Sequence, residues 1–170
     1  VLVYPNTYHV GMSNLGFQTV YRQLNDFDDI SCERVFLPDA GKQTESTLRS
    51  IESGKKLKDF DIIAFSVSFE NDFLNILKIL DKAELPLRSN ARKESHPLVI
   101  AGGVACFINP EPVAPFIDCF LMGESETILR DFIHHLDLNQ TKPETLKFLS
   151  KTVPGIYTPS FYKHKYNRNS

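Results

Sequence analysis

The sequence predicts an α/β domain with a doubly wound, mainly parallel sheet, and two patterns lead to this prediction. Five apolar runs of strand length recur along the chain, over residues 1–4, 30–37, 61–67, 98–101 and 117–122. Stretches with the apolar spacing of amphipathic helices separate these runs. Because alternating strands and helices form right-handed βαβ crossovers, we expect a five-stranded sheet in the order 2-1-3-4-5, with helices on both faces.

The third, fourth and fifth runs are almost continuously apolar, which is typical of parallel strands that helices cover on both faces. We expect these strands to supply the centre of the core with Ile63, Phe65, Val99, Ile100, Phe120 and Leu121. The helical side chains expected to pack on them are Phe73, Leu77, Leu129 and Phe132.

The helical stretches are identified by apolar residues three and four positions apart. The first has Ser13 or Asn14 as its candidate N-cap and a stripe formed by Phe17, Val20, Tyr21 and Leu24. The second stripe comprises Phe69, Phe73, Ile76, Leu77 and Leu80. The third comprises Ile128, Leu129, Phe132, Ile133 and Leu136. A weaker helix is expected over 45–53, where Gly54 follows in the position of a C-cap glycine.

The pattern changes after residue 138, which divides the chain into an α/β domain over 1–138 and a C-terminal extension over 139–170. Residues 141–151 predict a short capped helix, and residues 153–157 predict a turn followed by an edge strand. The polar, basic tail over 162–170 is typical of a linker. Since the chain begins with Val1 rather than methionine, we expect it to be a fragment of a longer protein.

Composition and charge narrow the possible function classes. The chain has 170 residues and a formal net charge of -2, and its lysines and arginines are dispersed among acidic residues. The basic residues therefore form no stripe that could contact the phosphate backbone of a nucleic acid. This argues against nucleic acid as the primary partner. No apolar run approaches the roughly 20 residues that cross a bilayer, and the first residues given show no charged segment followed by a hydrophobic signal stretch. We expect a soluble, cytoplasmic protein with no membrane partner.

The three cysteines, Cys32, Cys106 and Cys119, are far apart and lie in apolar surroundings. This spacing is typical of buried free thiols in a reducing compartment. It does not place neighbouring thiolates on one short loop, as a zinc knuckle or an iron–sulfur cluster requires. We therefore expect no metal site in this chain.

In a doubly wound sheet, ligands bind at the carboxyl ends of the strands. The candidate cofactor-binding residues lie in the loops after the first, third, fourth and fifth strands: Asn6, Thr7, His9, Gly11, Ser66, Ser68, Gly102, Gly103, Gly123 and Glu124. The first of these loops enters a helix, where backbone N–H groups can hold an anionic or amide-bearing ligand. It lacks the G-x-G-x-x-G and P-loop spacings, which disfavours nucleotide cofactors.

Each loop also has a structural interpretation. His9 is an axial metal ligand, a hydrogen-bond donor or an ordinary loop histidine, and Ser68 either bonds a ligand or caps the next helix. The pair Gly102 and Gly103 leaves room for a ligand or forms a tight turn with positive φ, and these two interpretations are compatible. For Glu124, interaction with the helix dipole is favoured over acid–base chemistry.

Several stretches together resemble a known family. They read YPNTYHVGMSNLGFQTVY, CERVFLPD, DFDIIAFSVSFENDF, PLVIAGGVACFINPEPVAPFIDCFLMGESE and GIYTPSFY. They are similar to the N-terminal cobalamin (B12)-binding-like domain of radical-SAM proteins of the Fe-S oxidoreductase type, whose molecular function is poorly defined. The resemblance implies a flavodoxin-like (Rossmann-like) fold and a following barrel that carries a C-x-x-x-C-x-x-C motif.

Two motifs depart from the pattern of histidine-ligating cobalamin domains. Where those domains have D-x-H-x-x-G around the histidine, this chain has Thr7 and Met12 at the aspartate and glycine positions, and Gly11 comes one residue early. The companion S-x-L would begin at Ser66, and its leucine position holds Ser68. The Gly-Gly pair matches unchanged. The resemblance thus implies cobalamin binding without a histidine ligand.

The function implied by the resemblance is that of a cofactor- or substrate-binding module for the radical-SAM barrel of the same polypeptide. The 4Fe-4S iron–sulfur cluster and S-adenosylmethionine are expected in that barrel, and the isolated chain is not expected to catalyse a reaction. An alternative is a ligand-free structural domain that docks on the barrel. A phosphoacceptor receiver domain is disfavoured, because Asn6, Ser66 and Met122 lie near the positions where it needs acidic residues and a lysine.

Overall fold

The computed structural model describes residues 1–39 and 47–163. Its strands are β1 Leu2–Thr7, β2 Arg34–Leu37, β3 Ile62–Ser66, β4 Leu98–Gly102, β5 Cys119–Leu121 and β6 Ile156–Tyr157. Its α-helices are α1 Tyr8–Met12, α2 Leu15–Asn25, α3 Phe73–Lys82, α4 Val104–Ile108, α5 Ser125–His135 and α6 Lys142–Thr152. Short 3₁₀ helices lie at Leu57–Asp59, Glu70–Asp72, Ser89–Ala91, Ala114–Phe116 and Pro159–Phe161. The described residues include no helix with the length and apolarity needed to cross a membrane.

The strands form one mixed sheet in the order β2-β1-β3-β4-β5-β6. Neighbouring strands from β2 to β5 are parallel, and β6 pairs with β5 in the antiparallel direction. The α/β class is therefore confirmed, and the first five strands follow the order 2-1-3-4-5. The prediction of a five-stranded sheet is wrong in its strand count, because the expected edge strand joins the same sheet as a sixth member.

The core lies on both faces of this sheet, as the apolar strands predict. On one face, Ile63 and Phe65 pack with α3 and with Val99 and Phe120. On the other face, strand residues pack with α2, α5 and α6. Of the ten core side chains predicted, nine are buried: Ile63, Phe65, Phe73, Val99, Ile100, Phe120, Leu121, Leu129 and Phe132.

The tenth, Leu77, is only half-buried, and Ile79 of α3 is buried in the core instead. The helix begins at Phe73, after a 3₁₀ turn over Glu70–Asp72, and its inward residues include Ile76 and Leu80. Phe69 precedes this turn and is exposed, so its assignment to the apolar stripe is wrong. The 3₁₀ turn changes the helical phase between Phe69 and Phe73, since it has a tighter repeat than an α-helix.

The weak helix predicted over 45–53 is not observed over residues 47–53, and residues 45 and 46 lie outside the described residues. Arg49 instead forms an antiparallel bridge with Lys56. Gly54 lies at the tip of the intervening turn with a φ of 73°. The glycine therefore supports a tight turn rather than the end of a helix.

The C-terminal elements agree with the sequence prediction. The Glu144 carboxylate accepts hydrogen bonds from the backbone N–H of Thr141 at 3.2 Å and from its hydroxyl at 2.6 Å, which stabilises the start of α6. The following turn has Gly155 at a φ of 89°, and its carbonyl accepts a hydrogen bond from the Met122 N–H at 2.8 Å. This bond leads β6 onto the edge of β5. Of the predicted tail, residues 164–170 lie outside the described residues.

Candidate functional site

A groove of about 400 Å³ follows one face of the sheet between α2 and α5. Its floor is formed by residues of β3 and β4, and its walls include Val20 and Leu24 of α2 and Leu129 and Ile133 of α5. At the carboxyl ends of the strands, five of the predicted site residues line it: Ser66, Ser68, Gly102, Gly103 and Gly123. The groove therefore connects an apolar interior to the edge of the sheet at which ligands bind in this fold class.

The groove exists because α2 and α5 leave part of β3 uncovered. Ile63 and Phe65, which face α3, are buried, whereas Ile62, Ala64 and Ser66, which face the groove, are only half-buried. β3 has parallel neighbours on both sides, and strands in such positions are normally covered on both faces. The uncovered face of a central strand is thus available to a ligand.

The two adjacent glycines at this edge are there for different reasons. Gly103 has a φ of 98°, and a Cβ at this position would lie 2.5 Å from the Val67 carbonyl oxygen, so the backbone itself requires glycine. Gly102 has no such φ, and the nearest neighbour of an added Cβ would be the Leu121 carbonyl oxygen at 3.3 Å. The glycine at 102 therefore avoids a tight contact with the backbone of β5, and it leaves the end of the groove without a side chain.

Asn14 places a polar side chain beside this end of the groove. The sequence analysis identified this residue only as a candidate N-cap. Its Oδ1 accepts a hydrogen bond from the Phe17 N–H at 2.9 Å, which confirms its role as the cap of α2. Its Nδ2 donates to the Ser68 hydroxyl at 3.0 Å, across the end of the groove. Ser68 does not cap a helix, so that interpretation is wrong. Its hydroxyl remains able to donate to a ligand.

Gly16 and Ser125 also line the groove and were not among the predicted site residues. They open α2 and α5, the two helices that form the walls. A search for glycine or serine in the first turn of these helices would have found them. Their alignment with the third and fourth strands depends on the packing of α2 and α5, which a local motif does not encode.

Asn6 belongs to a separate polar cluster at the end of β1. Its Nδ2 donates to Asp72 Oδ1 at 2.8 Å, and Asn75 Nδ2 donates to the Pro5 carbonyl at 2.9 Å. Asp72 is 3% exposed, and its Oδ2 has no hydrogen-bond partner. Burial raises the pKa of this carboxyl above its ordinary value, although the Asn6 and Asn75 amides act in the opposite direction. The cluster joins the end of β1 to the start of α3.

Thr7, His9 and Gly11 lie on or beside α1 and do not line the groove. His9 is exposed, whereas Gly11 is buried. A Cβ at Gly11 would lie 2.4 Å from the Phe36 ring, so this glycine lets α1 pack closely on β2. Glu124 precedes the first turn of α5 and is exposed, also outside the groove. The assignment of these four residues, and of Asn6, to a cofactor site stays a prediction.

The three cysteines are buried and form no disulfide. Burial raises the pKa of the Cys32 thiol to about 11 and that of Cys106 to about 12, and it also raises the pKa of Cys119. All three are therefore protonated at neutral pH, and thiols in this state are poor nucleophiles and metal ligands. Within residues 1–39 and 47–163, no three His, Cys, Asp or Glu side chains are grouped so that they could hold a metal ion.

Comparisons with known proteins identify the family. The chain is 29% identical over 125 residues to the uncharacterized protein MJ0966 of Methanocaldococcus jannaschii, and the match covers 74% of this chain and 23% of that protein. The chain thus spans about a quarter of the length of this relative. No solved structure matches it. The sequence model described as "Radical SAM proteins, N-terminal" matches residues 16–159, so the chain belongs to this family of N-terminal domains of radical-SAM proteins.

Proposed function

We propose that this module of a radical-SAM protein binds a small-molecule cofactor or substrate in the groove between α2 and α5, with cobalamin as the first candidate. The observation that carries the proposal is the half-buried face of β3, where Ile62 and Ala64 remain partly accessible in the middle of the sheet. Covering apolar surface of this kind is favourable by roughly 25 cal/mol per Å². A ligand with an apolar part gains this free energy on binding. We further propose that the fold is the flavodoxin-like arrangement with an added edge strand.

The residues around the groove fit part of a cobalamin molecule. Its apolar interior suits a flat hydrophobic group, and Asn14, Ser66 and Ser68 offer amide and hydroxyl groups to the polar amides of the cofactor. The remainder of the cofactor would lie over the edge of the sheet, where Gly102 and Gly123 carry no side chains that obstruct it. Bound cobalamin would supply a cobalt centre suited to methyl transfer.

The position of His9 supports binding without an imidazole ligand. This side chain lies on α1, and the groove is lined by other residues. The 4Fe-4S cluster and S-adenosylmethionine are assigned, in this proposal, to the radical-SAM domain of the parent enzyme. This chain then contributes the binding and orientation of the cofactor, and no catalytic residue of its own.

The test is a titration of the protein with hydroxocobalamin, followed by absorbance. Ala64→Leu places additional carbons on the floor of the groove and should weaken binding by about tenfold or more, a change in binding free energy of about 1.4 kcal/mol. Ala64→Ser keeps the space and serves as the matched control, and His9→Ala should bind like the wild type. Urea unfolding of each variant verifies that it is folded.

Three outcomes contradict the proposal. A folded Ala64→Leu variant with wild-type affinity would exclude the groove as the site. A spectral change on binding that is abolished by His9→Ala would show imidazole coordination. If the folded wild type binds no cobalamin, the cofactor is wrong, and the ligand-free interaction domain becomes the better interpretation.

A further inference from the structure

Six large apolar side chains are exposed at the carboxyl edge of the sheet, and we refer to them as the apolar rim. Their exposed fractions lie between 53 and 78%. They are Tyr8, Leu15, Phe69, Val104, Phe107 and Ile108. Single exposed apolar residues are ordinary on protein surfaces, whereas a group of them on one edge marks an interaction surface.

The topology places these six side chains on one edge. Tyr8 follows β1, and Phe69 follows β3. Phe107 lies on the short helix α4, which follows β4. These three strands are adjacent and parallel in the sheet, so their carboxyl ends lie side by side. Leu15 opens α2 at the same edge. The apolar rim therefore extends across neighbouring loops of the domain.

Among the described residues, the segments at the carboxyl ends of β1, β3, β4 and β5 are acidic. These segments, over 5–16, 67–72, 102–109 and 122–126, contain no lysine or arginine, although the chain has 19 such residues. They contain the exposed carboxylates Glu70, Glu124 and Glu126. An apolar and acidic edge does not suit a phosphate-rich partner or an anionic membrane surface. It suits a protein surface with an apolar centre and basic residues around it.

We propose that the apolar rim docks on the radical-SAM domain of the same polypeptide. The family is defined by its N-terminal position in radical-SAM proteins, and the match to the Methanocaldococcus jannaschii relative covers only 23% of that protein. A domain joined by a linker is present at high effective concentration, so a modest apolar contact is sufficient to hold it. The docked surface of that domain carries an apolar centre bordered by lysine and arginine. This proposal rests on the exposed side chains of the apolar rim and not on the proposed ligand of the groove.

The test is carbene footprinting of the complete polypeptide, read residue by residue by mass spectrometry, with and without hydroxocobalamin. In the structure of this chain, Phe69 and Phe107 are 57 and 62% exposed, more than Phe148 at 46% and Phe161 at 48%. Docking reverses this order, so that Phe69 and Phe107 are labelled less than Phe148 and Phe161. The two C-terminal phenylalanines serve as internal controls in the same sample.

A double variant, Phe107→Ala with Ile108→Ala, tests the contact itself. Both side chains are exposed, so the domain should still fold, and Phe69 should regain labelling because the rim is released. Phe148→Ala is the control and should leave Phe69 protected. Labelling of Phe69 and Phe107 above that of Phe148 in the wild type overturns the proposal. Protection that is lost on dilution also overturns it, because the occupant is then a second copy of the polypeptide.

Discussion

Gly102 and Gly103 are adjacent, but the backbone makes different demands on them. Gly103 adopts a φ of 98° and a ψ of 170°, a conformation accessible essentially only to glycine, and it lies against the Val67 carbonyl. Gly102 has no positive φ, and a Cβ there would lie 3.3 Å from the Leu121 carbonyl oxygen, a tight contact that is less severe than the one at Gly103. The sequence predicted that the pair would either open a ligand site or form a turn. In the structure, Gly103 forms the turn and Gly102 lies at the end of the groove. The Gly-Gly dipeptide alone does not show which glycine has which role.

This division predicts different effects of the same substitution. Gly103→Ala should lower the free energy of unfolding by at least about 1–3 kcal/mol, because a side chain is strained in this conformation and collides with Val67. Gly102→Ala should cost less than about 1 kcal/mol, since its nearest new contact is at 3.3 Å. Urea unfolding of the two variants measures the difference. Equal losses would contradict the separate roles.

The Asp72 carboxyl gives a pH-dependent prediction. Because burial raises its pKa in the folded state, the protonated form is favoured by folding, and its contribution to stability decreases as the pH rises through the folded pKa. Asp72→Asn keeps an oxygen that accepts from Asn6 and Asn75 but does not ionise. The stability of Asp72→Asn relative to the wild type should therefore increase between about pH 4 and pH 7.

The matched control is Asp72→Ala, which leaves the Asn6 and Asn75 amides without this acceptor. It should be destabilised by about 1–3 kcal/mol at both ends of this range, because buried donors then lack a partner. Denaturation curves at several pH values provide the comparison. A constant difference between Asp72→Asn and the wild type would show that the carboxyl keeps its ordinary pKa.

Among the elements, the long connection between α3 and β4 depends on a buried ion pair. Arg92 donates to Asp118 Oδ1 at 2.9 Å, to the Phe116 carbonyl at 2.8 Å and to the Leu87 carbonyl at 3.0 Å. The other oxygen of Asp118 accepts from the Val99 N–H at 2.7 Å. One carboxylate thus joins the connection to the starts of β4 and β5.

Asp118→Ala should therefore lower the free energy of unfolding by about 3–5 kcal/mol, since it leaves the buried Arg92 charge without its partner. Lys58→Ala removes a partner of an exposed pair with Glu84 and should have little effect, because water screens such pairs. Thermal or urea unfolding distinguishes the two. A loss from Asp118→Ala as small as that from Lys58→Ala would contradict the structural role of the buried pair.

The elements were predictable where the signal is local. The apolar runs predict β3 and β4, and Asn14 and Thr141 predict the starts of α2 and α6. The prediction fails over 47–53 because the pairing of Arg49 with Lys56 competes with a weak helix. The membership of β6 in the sheet depends on its pairing with β5, a contact distant in sequence. Apolar spacing carries no information about such contacts.

For the whole molecule, the sequence predicted the edge of the sheet at which the candidate site lies, but not its shape. Strand ends locate Ser66, Gly102 and Gly123, and the groove includes all three. The distance between α2 and α5 depends on how both helices pack on the sheet. Local sequence patterns therefore do not show that one face of β3 is only half-buried. The same holds for the apolar rim, since Phe69 reads in sequence as part of a helix stripe.

The central claim, that the groove binds a ligand, is tested most directly by methyl NMR of alanine- and isoleucine-labelled protein during a titration with hydroxocobalamin. Ile62, Ala64 and Ile100 face the groove side of the sheet, whereas Ile63 and Ile76 are buried on the opposite side. We predict that the methyl signals of the first three shift on binding and that those of Ile63 and Ile76 do not. Saturable binding that leaves Ile62, Ala64 and Ile100 unchanged would contradict the claim.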